Sequence, residues 1–232
     1  GSEMCIRDSF APYRFFRIIE PSRSNPKVSS LGITSNTTCA IVLNSGVYAL
    51  GYEYGSYINQ HDIVIRFNMA PTEGYEKYVG TRTTHMWTWS AHFDEFLERM
   101  DTAEYYLTKL IVSPLEPYAI PPARYVIPNQ DQLFAACKQH WLQSEYVNRF
   151  PVKRCSSGAF SIAYCLQECT QVTVFGFYPG HQCDVPFHYF EAKMCSHSDT
   201  KQVDKHHNFT HEHILLESLS RSTKKIKILP PL

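Results

Sequence analysis

Short unbroken apolar runs alternating with helical patterns constrain this chain more than any other feature. CAIVL (39–43) contains no polar residue and closes on Asn44-Ser45-Gly46, the signature of a strand buried on both faces that turns sharply toward a helix. A helix is predicted over VYALGYEYGSYI (47–58), then a second buried strand in HDIVIRFN (61–68), broken by Ala70-Pro71-Thr72-Glu73-Gly74. TTHMWTW (83–89) reads as a third strand, and apolar residues at 93, 96, 97, 100 and 107 predict a helix across 91–107. LTKLIVS and RYVIP return to strand character, and a further helix is expected near 130–147. The apolar helix AFSIAYCLQEC, the strand QVTVFGF, the helix HEHILLESL and the strand KKIKIL close the chain. Such alternation predicts a single α/β domain, a mostly parallel sheet with helices on its faces.

At 232 residues with 44% hydrophobic and 14% aromatic content, the chain is long enough for one sizeable core and too short for two full-sized domains. Residues 37–232 form the expected domain, and 1–36 a leader: an extraneous polar tail, GSEMCIRDS, followed by an irregular Pro- and Ser-rich stem remnant. Lys plus Arg equals Asp plus Glu at 22 each, so the broad field that draws proteins to nucleic acid is missing. No run approaches the roughly 18 apolar residues that span a bilayer. The sequence shown is therefore expected to be soluble, any membrane anchor lying upstream of it. Eight cysteines without a CxxC pair, with sequons at Asn36 and Asn208, point to an oxidising secretory compartment. Eight cysteines permit 105 pairings, and spacing alone chooses none of them.

Open α/β sheets bind ligands where strand carboxyl ends meet helix amino ends. Three such places are Asn44 to Gly46, Asn68 to Thr72, and Ser156 to Gly158. Ser156, Ser157 and Gly158 open an apolar helix, so their N–H groups suit a phosphate or carboxylate, although a Ser N-cap alone explains the same residues. Asn44 and Asn68 suit ribose or base edges, or equally the backbone tolerance of a turn. Ahead of the last helix stands HNFTHE, where Glu212 complements the helix dipole and the same dipole keeps His207 neutral, hence able to accept a proton. A zinc site at His207, His211 and His213 would need one continuous helix and a fourth ligand that no spacing supplies. GxGxxG, GxSxG and GxxxxGK[ST] are absent, and so is any Asp-x-Asp pair for a divalent cation.

The order of the blocks ties these places together. CAIVLNSG, YGSYINQHDIVIRFNMAPTEGYEKYVGTRTTH, SSGAFSIAYCLQECTQVTVFGF, HYFE and HNFTHE resemble, in sequence, the large, small, third and very-small motifs of the animal-type sialyltransferases. The resemblance covers residues 37–232. It implies a GT-A-like fold, a CMP-sialic acid donor, no metal or other cofactor, and inversion by single displacement onto a glycan hydroxyl. It implies donor-binding roles for Asn44 and Asn68, with Ser45 and Gly46 near the phosphate and Ser156, Ser157, Gly158, Gly176 and Phe177 lining the nucleotide pocket. His188 is implied to support the leaving phosphate, His207 to act as general base with Glu212 as its companion, and Cys39 to pair with Cys169. A Golgi-lumenal enzyme anchored by an upstream segment, acting on glycoprotein or glycolipid, with glycan on Asn36, completes the expectation. A different CMP-linked keto-sugar acid such as CMP-Kdo, or an inactive glycan-binding relative, are the alternatives. Four positions depart from the family pattern: Leu43 for Gly, Tyr78 for Asp, Cys155 for Pro, and Arg154 in place of a phosphate-binding Tyr. Leu43 is expected to tighten the nucleotide pocket and Arg154 to supply charge to the phosphate.

Overall fold

The structure, a computed structural model, describes residues 16–17, 36–89, 109–113, 125–128, 156–177, 185–192, 207 and 209–230. Among these described residues eight strands form one sheet: β1 (Phe16–Arg17), β2 (Thr38–Val42), β3 (Ile63–Phe67), β4 (His85–Trp89), β5 (Lys109–Ser113), β6 (Tyr125–Pro128), β7 (Gln171–Phe175) and β8 (Ile226–Leu229). Their order is β1-β6-β5-β4-β3-β2-β7-β8. Every pairing is parallel except that of β1 with β6. The leader, read from sequence as irregular, thus contributes a two-residue antiparallel edge.

From β2 the chain winds outward through β3 to β6 and then returns to add β7 and β8 on the other side. The topological switch point lies between β2 and β7, the place where open parallel sheets bind ligands beyond the strand ends. Pairing there runs from Thr38 opposite Gln171 to Val42 opposite Phe175, and Leu43 N–H extends it to the Phe175 carbonyl at 2.9 Å.

Both faces of the central strands are covered, which is why their sequences are nearly all apolar. Cys39, Ile41, Ile63, Ile65, Phe67, Trp87, Val172 and Val174 point to one core, shared with α3 (Ser157–Glu168) and with Leu216 of α4 (Phe209–Ser222). Ala40, Val42, Val64 and Phe175 point to the other, with Val47, Tyr48 and Ile58. The helix expected over 47–58 is instead a 3-10 turn (Gly46–Leu50) and a single helical turn, α1 (Gly55–Ile58). Gly51, at φ 89°, ends the first piece in the left-handed conformation that glycine adopts freely. One polar residue interrupts the apolar pattern of β3: Arg66, buried, donates to Thr83 Oγ1 at 2.9 Å and to the carbonyls of Val79 at 2.6 Å and Arg82 at 2.9 Å. It thereby ties down the segment that follows α2 (Glu76–Val79).

Helices expected across 91–107 and near 130–147 lie outside the described residues. So do Cys5, Cys137, Cys155, Cys183, Cys195, Arg154 and Asn208. No helix among the described residues is long and apolar enough to cross a membrane.

Candidate active site

The pairing implied by resemblance forms: Cys39 and Cys169 are joined, with Cα atoms 6.1 Å apart across 130 positions. Cys39 stands near the start of β2 and Cys169 is the C-cap of α3. A 12-residue helix is about 18 Å long and a five-residue strand about 17 Å, so fixing the end of α3 at the starting edge of the sheet sets its first turn beside the carboxyl ends of the strands. There Leu43 Cδ2 lies 3.0 Å from the position a Gly158 Cβ would take. Leu43 therefore packs against the helix start and the α3-side core, while Tyr78 packs against the core of the opposite face. Cys165, one turn before Cys169, is a buried free thiol whose pKa burial pushes up.

Ser156 caps α3, its Oγ accepting from Ala159 N–H at 3.1 Å. It is also gripped by a residue 56 positions away. Ser156 N–H donates to Glu212 Oε1 at 2.8 Å and Ser156 Oγ–H to Glu212 Oε2 at 2.7 Å. Glu212 is 7% exposed, and burial raises its pKa to about 7 against the pull of those two hydrogen bonds. Dipole complementarity alone explains a Glu in the first turn of α4. Here the carboxyl also fastens the amino end of α4 to the amino end of α3. The N–H groups of Ser157 and Gly158, which helix geometry leaves without intrahelical acceptors, have no partner among the described residues. His207 stands two residues ahead of α4, its ring 5.6 Å from that of Phe209.

On the other side of the switch point, Asn44 Nδ2 donates to the Phe67 carbonyl at 3.2 Å and links the ends of β2 and β3, while its Oδ1 is buried without a partner. Ser45 Oγ accepts from Val47 N–H at 3.2 Å and caps the 3-10 turn. Gly46 is needed for packing: a Cβ there would collide with the Pro186 carbonyl. Asn68 and Met69, just past β3, have φ of 49° and 59°. Successive left-handed residues that are not glycine are strained, and strain of this kind gathers at ligand sites. Asn68 is exposed.

The third motif folds onto these turns. Ser45 and His188 form an isolated antiparallel bridge, and Tyr189 N–H donates to the Asn44 carbonyl at 2.9 Å. The Tyr189 hydroxyl donates to the Pro71 carbonyl at 2.6 Å, so one tyrosine fastens the β2 turn, the β3 turn and the third motif together. Sequence reading missed this role, and missed Tyr48, whose buried hydroxyl has no partner among the described residues and lies 2.5 Å from the space that a Gly176 Cβ would fill. Phe177 stacks on His213 of α4, ring planes 3° apart and centroids 5.2 Å apart, with His213 Nδ1 buried and unpartnered. Apart from Cys39, Cys169 and Asn36, described members of the sequence-derived set are linked near the carboxyl edge of the sheet by Leu43–Gly158, Glu212–Ser156 and Ser45–His188 contacts. Asn36 stands exposed in the turn before β2, at the opposite edge.

The sequence profile of glycosyltransferase family 29 (sialyltransferase) matches residues 13–114 and 92–224. Among curated proteins, CMP-N-acetylneuraminate-beta-galactosamide-alpha-2,3-sialyltransferase 1 of Gallus gallus is 27% identical over 191 residues, 75% of this chain and 53% of its own length. The Sus scrofa protein of the same name is 30% identical over 62% of this chain and 45% of its own length. Beta-galactoside alpha-2,6-sialyltransferase 2 of Bos taurus is 28% identical over 80% of this chain and 41% of its own. The chain spans about half the length of the curated relatives it matches. The crystal structure of a mammalian sialyltransferase superposes with a TM-score of 0.59 at 25% identity, covering 85% of this chain and 70% of that one. A complex of a mammalian sialyltransferase with Gal-beta-1-3GalNAc-ortho-nitrophenol superposes equally well. The fold is the GT-A-like α/β fold that the motif order implied.

Proposed function

This chain belongs to glycosyltransferase family 29, the sialyltransferases, and we propose from that membership that it transfers sialic acid from CMP-sialic acid to a glycan hydroxyl, with inversion and without a metal. What supports the reading is the set of contacts that link described parts of the separated blocks beyond the carboxyl ends of β2 and β3: Asn44 with Phe67, Leu43 with Gly158, Ser156 with Glu212, and Ser45 with His188. In this reading Asn44 and Asn68 hold the nucleoside, and Ser45 and Gly46 shape the turn beside its phosphate. Gly176 and Phe177 line the pocket. The N–H groups of Ser157 and Gly158 face an anionic group of the donor, where the positive end of α3 favours it. Ser156 and Glu212 fix that helix start in place.

The leaving CMP gains a negative charge on its phosphate as the bond to the anomeric carbon breaks. N–H groups, hydroxyls and the His188 ring meet that charge from fixed positions, a preorganised stabilisation that calls for no metal ion. A sugar hydroxyl is a weak nucleophile until its proton leaves, and a neutral His207 within about 3 Å takes it. The acceptor in this reading is a glycoprotein or glycolipid glycan ending in galactose; the relatives' names give a beta-galactosamide and a beta-galactoside. The enzyme works in the Golgi lumen, tethered by a membrane anchor outside the sequence shown, with Asn36 available for glycosylation.

The test is product analysis. Purified protein is incubated with CMP-sialic acid or CMP-Kdo and galactose-terminated acceptors, in buffer containing a chelator. Mass spectrometry then reads the acceptor. A sialic acid increment that persists with chelator and disappears in His207→Ala supports the reading. CMP-Kdo turnover alone overturns the donor, and no transfer from either donor overturns the activity.

A further inference from the structure

We propose that Glu191 is the positioning residue that holds His188 oriented and positively charged against the leaving phosphate, an inference that rests on the donor site described above. His188 Nδ1 and Glu191 Oε1 are 2.7 Å apart, within the range of charge-assisted hydrogen bonds. Glu191 N–H also donates to the His188 carbonyl at 3.2 Å, closing a turn that brings the carboxylate back beside the ring. The ring is fixed on its faces as well. Phe190 stacks on it with planes 10° apart and centroids 5.1 Å apart, and Phe187 meets it at 62° and 4.5 Å. The backbone on either side is pinned by the Ser45 bridge and the Tyr189 hydrogen bonds.

These contacts consume one ring nitrogen and leave the other. Nε2 has no partner among the described residues, and 30% of the side chain is exposed. A carboxylate accepts and does not donate, so Nδ1 must carry a proton. If the ring were neutral, Nε2 would then be an acceptor and useless to a phosphate oxygen, which also only accepts. Contact with phosphate therefore requires the imidazolium, with one N–H on Glu191 and the other on the donor. Glu191 supplies a negative charge on the side away from the phosphate, the arrangement by which a carboxylate orients an imidazole and stabilises its cation in hydrolytic triads.

In the transfer step the bond between the anomeric carbon and the phosphate oxygen breaks, and its electron pair passes to CMP, whose phosphate goes from one negative charge to two. The acceptor oxygen bonds to the anomeric carbon and its proton passes to His207. Glu191 and His188 exchange no proton; the imidazolium meets the added charge. Loss of the carboxylate is therefore felt most by the doubly charged phosphate, in the product and in the transition state. The cytosine and ribose contacts are untouched.

The experiment compares wild type, Glu191→Gln, Glu191→Asp, His188→Ala and the Glu191→Gln/His188→Ala double variant by calorimetric binding of CMP and of cytidine, and by steady-state transfer. Glu191→Gln is expected to weaken CMP while leaving cytidine affinity within about twofold, and to lower kcat by about 10- to 100-fold, the range seen when the carboxylate behind a metal-ligating histidine is removed. Asp is expected to restore part of the loss. Adding Glu191→Gln to His188→Ala is expected to change nothing more, since the two act as one unit. Equal weakening of CMP and cytidine, additive effects in the double variant, or a Glu191→Gln enzyme indistinguishable from wild type would each overturn the inference while transfer by wild type still stands. Wild type that neither binds CMP nor transfers would bring down the donor site itself, and this inference with it.

Discussion

Replacing Glu212 with Gln isolates a strongly shifted ionisation at the site. In the folded chain burial holds this carboxyl near pH 7, above its ordinary value of 4.5. Between those limits the fold keeps a proton that the unfolded chain has released, so stability falls as pH rises. The contribution is fully present below about pH 4.5 and is lost as pH rises through about 7. At about 1.4 kcal/mol per pH unit the total is about 3 kcal/mol. A Gln at 212 accepts from Ser156 N–H, donates from its amide to Ser156 Oγ and cannot ionise. Urea unfolding of both proteins at half-unit intervals from pH 4.5 to 8 gives the difference curve, in which every other titrating group cancels. The wild type is expected to lose about 3 kcal/mol relative to Glu212→Gln across the range, with most of the loss between pH 5 and 7. Parallel curves would refute the buried-carboxyl account, and a difference of opposite slope would mean that hydrogen bonding to the ionised form outweighs desolvation.

Three further outcomes follow from packing and covalent geometry. Gly46→Ala drives a methyl group into the Pro186 backbone and is expected to cost about 1 to 3 kcal/mol of stability and more than tenfold in transfer rate, because the displaced segment carries His188; denaturant midpoints and kcat measure the two effects. Cys39→Ser opens a 130-residue loop worth up to about 5 kcal/mol in the chain-entropy model, and a clear drop in the denaturation midpoint under oxidising conditions is expected. Cys165 is buried and its thiol is held protonated by desolvation, so iodoacetamide at pH 8 is expected to leave it unmodified in the native protein and to label it once urea is added, as read by peptide mass spectrometry.

Strand positions were legible because parallel strands covered on both faces need mostly apolar runs, and CAIVL, IVIRF and QVTVF come close to that pattern, broken only by Arg66, Gln171 and Thr173. The helix over 47–58 was misjudged for a local reason. Its apolar spacing is helical, but Gly51 takes a left-handed φ, and the lack of a side chain at Gly55 lets the α2 backbone approach at Glu76. Strand β1 was not legible at all: two residues become a strand only because β6 offers a free edge.

At the candidate site, the contacts between the singled-out residues were not legible. Ser156 and Glu212 were both singled out, one as a cap and one as a dipole complement, yet their contact spans 56 positions and has no local signal. Gly46 reads as a phosphate neighbour from the motif, and the structure adds a packing demand that the sequence does not show, the close approach of the Pro186 backbone. Glu191 was within reach: it stands three residues after His188, a spacing that one turn closes. Leu43, expected to tighten the nucleotide pocket, packs against Gly158 at the start of α3.

The account depends on a single crevice at the carboxyl edge of the sheet that accepts cytidine monophosphate. A crystal structure of the protein soaked with CMP and a chelator tests it most directly. The account predicts the nucleotide between the ends of β2 and β7, with its phosphate within hydrogen-bond distance of His188 Nε2 or the Ser157 and Gly158 N–H groups, its nucleoside at Asn44 and Asn68, and His207 facing the open side. CMP bound elsewhere on the molecule, or a phosphate facing none of these groups, would contradict it.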